Sequence, residues 1–534
     1  MAVNKRKCYF AMQNKNTSSE DVDLWLMTQS PIHSKRLVSS AREPWGRGIA
    51  QLAAQAGLDV MLFDVKDGAV AEATAFIHGL WQRSADKQRI TQAQAEQYGE
   101  RLIEARDLAA LAPCDIVVEA IIEKLEAKQG LFNDLESIVR QDAVLATNTS
   151  SLSVTAIAAA CQHPERVIGF HFFNPVPLMK IVEVIPGLRT AYDVTQRVDA
   201  LGTAMGHFTA QATDTPGFLV NHAGRAFGTE ALRILSESVA DPATIDRIMV
   251  DQGGFRMGPF TLLDLTGLDV SHAVMESVYH QYYEEPRFRP SPLTRQRLSA
   301  GLLGRKTGEG FYRYVNGQQQ MPEEPAIAST PPCPVWISQD DPGSATQLAE
   351  LVTTAGWPLE SAAQPSSEAL CLLTPLGEDT TQCALRQGLN AEQCIAVDML
   401  AGLDKRRSLM ASPITRPDLI NAAASLLNAD GTPVSTLQDS TGFVLQRVVA
   451  CIVNVGADIA QQGVAAPATI DRAVELGLGY PFGPLRLGDH YGASRILTIL
   501  NNLLEATGDP RYRPSPWLRR RAALGMPLTD GPRG

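Results

Sequence analysis

The sequence predicts an α/β protein with an N-terminal doubly wound parallel sheet, a helical domain, a small degenerate α/β domain and a second helical copy. Three observations support this prediction. Residues 58–171 alternate short apolar runs with longer helical stretches, residues 214–314 have a helical pattern, and that helical region recurs later in the chain. A length of 534 residues also requires several hydrophobic cores, because single cores stop growing at roughly 250–300 residues.

The alternating region supplies the strands of the predicted sheet. Buried strands are expected at residues 60–63, 115–120, 143–147 and 166–171, with a first strand beginning near residues 34–38. Short apolar runs separated by amphipathic stretches are typical of a Rossmann-type sheet with helices on both faces. Ligands of such sheets bind beyond the carboxyl ends of the strands. The polar residues of interest fall at those ends.

The stretch before Gly46 lacks the glycines of a dinucleotide-binding turn. In the pattern G-x-G-x-x-G, the first glycine permits the tight turn and the second lets a pyrophosphate approach the backbone. When Gly46 is taken as the third glycine, the first two positions hold Ala41 and Glu43. A carboxylate facing a pyrophosphate, and the missing amide donor of Pro44, are expected to weaken cofactor binding. Residues 39–45 are either a short out-of-frame stretch or a genuine cofactor-poor variant.

An internal repeat divides the rest of the chain. Asp214, Pro242 and Gly258 begin segments that recur at Asp439, Pro467 and Gly483, each 225 positions later (439 − 214). Such a repeat indicates a duplicated domain, and we expect the two copies to pack against each other. The expected organisation is an unstructured leader at 1–33, a nucleotide-binding domain at 34–213, helical copies at 214–314 and 435–534, a linker at 315–334 and a reduced Rossmann-like domain at 335–434.

Composition excludes several classes of function. A net charge of −11 and a pI near 5.4 argue against nucleic-acid binding, which draws on clustered Lys and Arg. No apolar run near the ~20 residues of a membrane span is evident. The eight cysteines form no C-x-x-C pair, and no histidine group has metal-ligand spacing. We therefore expect a cytoplasmic protein with reduced thiols and no metal. The N terminus has no signal-peptide pattern, and Met27 is a second candidate start.

His171 and Glu183 form the candidate catalytic pair. His171 closes an apolar strand, and Glu183 lies in an alternating stretch, 180–185, that returns from an Asn-Pro loop. Two strands joined in this way can bring the carboxylate beside the imidazole. A histidine oriented by a carboxylate is suited to remove a proton from a hydroxyl at neutral pH. A lone buried histidine is more often satisfied by a backbone carbonyl, but several other motifs accompany this one.

Those motifs are TNTSS, HFFNP, KIVEV, DTPGFLVN and GRKTGEGFY. Together they resemble the L-3-hydroxyacyl-CoA dehydrogenases, in particular the long bacterial form with a duplicated helical domain, of the phenylacetate- and fatty-acid-catabolism type. The likeness runs from about Gly46 to the C terminus. It implies an NAD-dependent oxidation of a (3S)-3-hydroxyacyl-CoA with a short or dicarboxylic chain, such as 3-hydroxyadipyl-CoA or 3-hydroxybutyryl-CoA.

The resemblance also implies roles for individual residues. His171 is the base, Glu183 orients it, and Ser150 and Asn221 donate hydrogen bonds to substrate oxygens. The implied cofactor residues are Gly46, Asp64, Glu123, Lys128, Ser150, Asn174 and Lys306. Asp64 favours NAD over NADP, because a carboxylate repels a 2′-phosphate. Lys87 matches a basic CoA position, whereas a serine seven residues earlier in the family is Leu80 here.

Two other functions remain open. The altered glycine loop is also compatible with a catalytically silent acyl-CoA-binding protein. A third hypothesis is a family relative that oxidises a sugar acid, although such relatives generally lack a duplicated domain. The second half is not expected to catalyse, because Gln446 stands where the first copy has Asn221, and no histidine lies between residues 335 and 489. The acyl-chain preference and the formation of homo-oligomers are left open by the sequence.

Overall fold

The computed structural model describes residues 36–40 and 44–531. The predicted leader, 1–33, and the two loop positions Ala41 and Glu43 lie outside the described residues. All other candidate site residues lie within them.

The first sheet is doubly wound, as predicted, with the order β3-β2-β1-β4-β5-β6-β7-β8. Its strands are β1 Arg36–Ser40, β2 Asp59–Phe63, β3 Leu102–Glu104, β4 Ile116–Glu119, β5 Val144–Thr147, β6 Val167–Phe172, β7 Ile181–Pro186 and β8 Phe208–Gln211. All neighbours are parallel except β6 and β7. The predicted strands form at the expected places. The two strands without a clear apolar run, β3 and β8, lie at the edges of the sheet.

Helices cover both faces of this sheet. They are α1 Pro44–Gln55, α2 Ala69–Asp86, α3 Gln92–Glu100, α4 Leu125–Ile138, α5 Val154–Ala158 and α6 Tyr192–Ala204, with single 3₁₀ turns at Leu108–Leu111 and Pro164–Arg166. One hydrophobic core includes Ile49, Trp81 and Phe170, and another includes Leu111 and Phe132. Two cores on one sheet are the expected result of a layer of helices on each face.

The first helical copy follows β8. Its helices are α7 Val220–Ala223, α8 Arg225–Ser236, α9 Pro242–Arg247, α10 Pro259–Thr266, α11 Leu268–Gln281 and α12 Pro292–Ser299, with a π-helical turn at Ile248–Gln252 and 3₁₀ turns at Pro286–Phe288 and Arg305–Thr307. A hairpin of β9 Arg313–Val315 and β10 Gln318–Gln320 closes it. The irregular connection therefore starts after residue 320, later than the expected linker start at 315.

The second α/β unit repeats only part of the first. Its strands are β11 Val335–Ile337, β12 Leu370–Leu373, β13 Cys394–Val397, β14 Arg407–Ala411 and β15 Val434–Gln438, with helices α13 Pro342–Thr354, α14 Thr380–Arg386 and α15 Pro417–Leu427 and a 3₁₀ turn at Ala391–Gln393. In chain order the pairings are parallel, parallel, antiparallel and parallel. This is the pattern of β4 to β8. Residues 335–438 contain no counterpart of β1 to β3.

The second helical copy packs against the first within the chain. Its helices are α16 Val444–Gln462, α17 Pro467–Leu478, α18 Pro484–Tyr491, α19 Ala493–Thr507 and α20 Pro516–Leu524, with a 3₁₀ turn at Pro510–Tyr512. The central helix α16 contacts α8 of the first copy and also α18, α19 and α20. By length and composition α16 could span a membrane, which was not predicted from the sequence. However, 89% of its apolar 18-residue stretch is buried inside the protein. It is the shared core helix of the two copies.

A buried carboxylate explains why one repeated motif is kept in both copies. Asp246 accepts hydrogen bonds from the amides of Phe260 (2.9 Å) and Thr261 (2.9 Å), at the start of α10. Asp471 accepts from the amides of Leu485 (2.8 Å) and Arg486 (3.0 Å), at the start of α18. An anion placed there satisfies amides that have no partner inside their helix.

Charged residues lie at the centre of the contact between the copies. Glu230 of α8 is buried and pairs with Arg447 of α16 (2.8 Å) and with Arg511 (3.3 Å), and it accepts from the hydroxyl of Tyr512 (2.8 Å). Burial alone would raise the pKa of Glu230, but the two arginines hold the pKa below its usual value. The carboxylate therefore stays ionised and compensates two buried cations.

We predict that Glu230→Ala destabilises the fold by about 3–5 kcal/mol, because it leaves the buried guanidinium of Arg511 without a carboxylate partner and that of Arg447 with only the partly exposed Glu237. Urea unfolding of the variant and of the parent measures this loss. Glu505→Ala, which removes an exposed carboxylate of α19, is the matched control and should change the free energy of unfolding by no more than about 0.5 kcal/mol. Equal stabilities of the two variants would contradict the proposed role of Glu230.

Candidate active site

The candidate catalytic pair lies on two adjacent antiparallel strands. His171 on β6 and Glu183 on β7 are direct register partners, and His171 Nδ1 lies 2.6 Å from Glu183 Oε2. Both side chains are buried, at 5% and 0% exposure. Because a carboxylate only accepts hydrogen bonds, Nδ1 carries the proton in this contact. Nε2 of His171 is thus left with the lone pair that a general base needs.

Glu183 also fixes the start of the first helical copy. Its second oxygen, Oε1, accepts from the amides of Leu219 (3.0 Å) and Val220 (2.8 Å). These amides open the short helix α7, which carries Asn221. One buried carboxylate therefore sets the positions of both the imidazole and the turn with Asn221.

The turn before these amides has an unusual backbone. Gly217 has a φ of 76° and Phe218 a φ of 49°, and a left-handed conformation is costly for a residue with a bulky side chain. The ring of Phe218 is buried 5.8 Å from that of His171, and Phe173 lies 4.6 Å away on the same imidazole. The strained turn thus supplies two amides for Glu183 and an aromatic wall that keeps water from the histidine.

Glu123 organises the loop after β5. It accepts from the hydroxyl of Thr149 (2.7 Å) and from the amides of Ser150 (2.8 Å) and Ser151 (3.0 Å). Burial would raise the pKa of Glu123, but nearby Lys128 and these hydrogen bonds lower the pKa overall. The ionised carboxylate fixes Ser150 at the carboxyl end of β5.

Lys128 lies beneath this loop. Its side chain is 1% exposed, and its Nζ is 2.7 Å from Glu119 Oε1 and 3.3 Å from Glu123 Oε2. This geometry lets Lys128 hold Glu123 in place, and the cofactor contact that the resemblance implies for Lys128 stays a prediction.

Comparison with known proteins assigns the family. A family model described as "3-hydroxyacyl-CoA dehydrogenase, NAD binding domain" matches residues 45–215. A second, described as "3-hydroxyacyl-CoA dehydrogenase, C-terminal domain", matches residues 217–314 and again residues 442–530. The chain belongs to the 3-hydroxyacyl-CoA dehydrogenase family. The predicted resemblance to the long form with a duplicated C-terminal domain is confirmed, and the protein is an oxidoreductase of this family with NAD as its cofactor.

Individual relatives agree with this assignment. The chain is 36% identical over 479 residues to the 3-hydroxyadipyl-CoA dehydrogenase of Escherichia coli K12, covering 90% of this chain and 95% of the relative. It is 42% identical over 269 residues to a probable 3-hydroxybutyryl-CoA dehydrogenase of Deinococcus radiodurans, covering 50% of this chain and 96% of that one. The crystal structure of 3-hydroxybutyryl-CoA dehydrogenase from E. coli K12 superimposes with a TM-score of 0.80 at 35% identity, covering 92% of this chain and 99% of that chain.

The described part of the dehydrogenase's nucleotide-binding region fits NAD. Asp64 is half-buried at the end of β2, and its carboxylate accepts from the amide of Lys66 (3.0 Å). Gly46 is buried in the first turn of α1. A side chain at Gly48 would bring its Cβ within 2.6 Å of Val176 Cβ, so glycine lets α1 pack directly on the loop after β6. An acidic residue after the second strand and a helix N terminus after the first are the elements such a cofactor needs.

Three of the dehydrogenase's expected binding residues lie outside the groups around His171 and Glu123. Lys306 forms an ion pair with Asp269. Lys87 is exposed at the end of α2, and Asn174 is exposed just after β6. Within the described residues the structure records no contact between these three side chains and either group, so their predicted roles rest on the family resemblance.

Two residues that position the site were not predicted from the sequence to have that role. Asn148 Oδ1 accepts from the amide of Phe172 (2.8 Å), which links β5 to the end of β6. Asp214 accepts from the amides of Val154 (3.0 Å) and Thr155 (2.7 Å), which anchors the first helical copy to α5. Both lie inside motifs that carried the resemblance, TNTSS and DTPGFLVN, but only the structure shows their partners.

The second half of the dehydrogenase has other residues at the catalytic positions. Asp398 directly follows β13 and is the fifth residue counted from its start, as His171 is the fifth residue of β6. The amide of Asp398 donates to the backbone oxygen of Ser408 (3.0 Å) on the antiparallel neighbour β14. Its buried carboxylate accepts from Gln446 (2.9 Å) and from Gln252 (3.3 Å) of the first copy. The position equivalent to His171 therefore holds a carboxyl group whose partners are protein side chains, and not a histidine.

We predict that Glu183→Gln lowers kcat by roughly 10²–10⁴-fold. A neutral amide cannot stabilise a protonated His171, and its NH2 group must face another donor, either the Nδ1–H of His171 or the amides of residues 219 and 220. Reduction of a 3-ketoacyl-CoA with NADH, followed by absorbance, measures the effect. Glu104→Gln, on the exposed edge strand β3, is the control. A kcat for Glu183→Gln equal to that of the control would show that the carboxylate does not act on the histidine.

Proposed function

We propose that the protein oxidises the 3-hydroxyl group of a (3S)-3-hydroxyacyl-CoA to a 3-keto group, with His171 as the base. The observation that carries this proposal is the 2.6 Å contact of His171 with the buried Glu183. The names of the relatives, 3-hydroxyadipyl-CoA and 3-hydroxybutyryl-CoA dehydrogenase, support a substrate with a short or dicarboxylic acyl chain.

The proton leaves the substrate along a defined route. Nε2 of His171 removes the 3-hydroxyl proton, and the O–H bonding electrons form the carbon–oxygen double bond as a hydride leaves the 3-carbon. NAD, when bound, accepts that hydride. The imidazolium that results is stabilised by the carboxylate of Glu183 on Nδ1. In the reverse direction the same imidazolium returns its proton to the oxygen.

Ser150 and Asn221 are the proposed hydrogen-bond donors to the substrate oxygens. Each lies on a turn that a carboxylate holds, Ser150 through the partly exposed Glu123 and Asn221 through the buried Glu183. Donors that are already in place when charge develops on an oxygen stabilise it without reorganisation. Lys87, on the exposed end of α2, is proposed to attract the phosphates of CoA.

The biological setting follows from the substrate class. A dehydrogenase for 3-hydroxyacyl-CoA fits the breakdown of fatty acids or of phenylacetate in the cytoplasm. The E. coli relative named 3-hydroxyadipyl-CoA dehydrogenase supports this proposal.

We predict that His171→Ala abolishes turnover, with kcat reduced by at least about 10²-fold, while the affinity for NADH is nearly unchanged. The imidazole acts on the substrate proton, so its removal should leave cofactor binding intact. Steady-state assays and titration of NADH fluorescence measure the two quantities. His163→Ala, an exposed histidine paired with Glu165, is the control. A parallel loss of turnover and NADH affinity would contradict the assignment of His171.

The altered glycine loop generates a separate prediction. Restoring glycines at Ala41 and Glu43 should raise the NADH affinity by about 10-fold or more, because it removes a carboxylate from the expected position of the pyrophosphate. Glu43→Ala alone separates the effect of charge from that of the glycine backbone. Parent protein that binds no NADH but folds normally would support the silent acyl-CoA-binding alternative. No gain in affinity from the two glycines would refute the proposed cause.

A further inference from the structure

Arg225 is a partly buried cation with no acidic partner among the described residues. The other buried arginines of the described residues each pair with an aspartate or glutamate: Arg166, Arg287, Arg406, Arg407, Arg447 and Arg511. Within residues 36–40 and 44–531 no carboxylate lies within ion-pair distance of Arg225, and burial lowers its pKa to about 10. A charge that is partly removed from water is more stable when an anion compensates it, so this guanidinium is a candidate for binding an anionic ligand.

The guanidinium lies over the turn that presents Asn221. Arg225 begins α8, four residues after Asn221, and its Nε donates to the backbone oxygen of Asn221 at 2.6 Å. Side chains four residues apart lie on the same face of a helix. The two terminal nitrogens of Arg225 make no hydrogen bond with the described residues, and the residue is only partly buried. Four N–H donors are therefore available beside a proposed substrate contact.

The second copy supplies the wall next to this charge. Tyr480 lies near Arg225, and its buried, neutral hydroxyl has no hydrogen-bond partner among the described residues. The Tyr480 ring packs 5.5 Å from Phe227 and 5.0 Å from Phe255. An apolar aromatic wall beside an uncompensated guanidinium suits a ligand with a methylene chain that ends in an anion.

The local electrostatics also favour an anion. His222, next to Asn221, is buried, and burial together with the charges of Arg225 and Arg287 lowers its pKa to about 3. The imidazole is therefore neutral at neutral pH. It accepts or donates one hydrogen bond with the hydroxyl of Tyr282 (3.1 Å) and does not add to or compensate the positive charge.

We propose that Arg225 binds the distal carboxylate of a dicarboxylic acyl-CoA and so selects for that class of substrate. This inference rests on the proposed function, since it assumes that Asn221 contacts the oxygen of the 3-carbon. In an adipyl chain the distal carboxylate lies only a short way from that carbon. A guanidinium one helical turn from Asn221 is suitably placed, and its fork of donors matches a carboxylate.

The test compares two substrates of equal chain length, 3-hydroxyadipyl-CoA and 3-hydroxyhexanoyl-CoA, which differ in the distal carboxylate. Arg225→Gln should lower kcat/KM for the adipyl substrate by about 10- to 100-fold, mainly through KM, because it removes a charged hydrogen-bond partner. For the hexanoyl substrate the change should be no more than about threefold. Arg256→Gln, which removes an exposed charge near Tyr480, should affect neither substrate.

Other outcomes separate the two proposals. A wild-type protein that oxidises neither substrate refutes the proposed function itself. Equal kcat/KM values of the wild type for both substrates, or equal losses for both in Arg225→Gln, refute the role of Arg225 alone. If Arg225→Gln does not fold, Arg225→Lys should keep part of the preference for the adipyl chain. Free adipate should also inhibit the wild type more strongly than hexanoate, and equal inhibition by the two acids would overturn the inference.

Discussion

The active site depends on one buried carboxylate that faces two structural units at once. One oxygen of Glu183 contacts the imidazole of His171, and the other receives the two amides that begin the first helical copy. The sheet alone would place the histidine, but it would not place Asn221 relative to it. Because the carboxylate has no solvent contact, neither interaction competes with water. The cleft between the sheet and the helices is therefore defined by residues of the core.

The duplicated half supports this arrangement without repeating its chemistry. Its sheet keeps the last five strands of the first sheet and omits the nucleotide-binding ones, and Asp398 stands where catalysis would need a histidine. What has been kept are the contacts between copies, with Glu230 of one copy between Arg447 and Arg511 of the other. The second copy also supplies Tyr480 beside Arg225, so it borders the proposed acyl-chain site.

Much of this could be predicted from the sequence, for physical reasons. Central strands such as β5 and β6 are buried on both faces, so they appear as continuous apolar runs. The strand β8 was not predicted, because it is partly exposed and has no continuous apolar run. The strand β14 was not predicted, because it begins with Arg407, whose charge is compensated by Asp430 only in the folded protein. His171 and Glu183 could be predicted because adjacent antiparallel strands force them together. The environment of Arg225 could not be predicted, because it depends on packing against a segment that lies far away in sequence.

The covalent connection between the helical copies has a consequence for their association. In two separate chains, pairing would cost translational and rotational entropy and would weaken on dilution. Here residues 321–438, an irregular segment followed by the small α/β unit, connect the copies, so each meets the other at an effective concentration set by this connection. The paired state is thus maintained at any cellular abundance of the protein. One copy is consequently free to lose its own reactive groups, since its contribution is a permanent surface for the other.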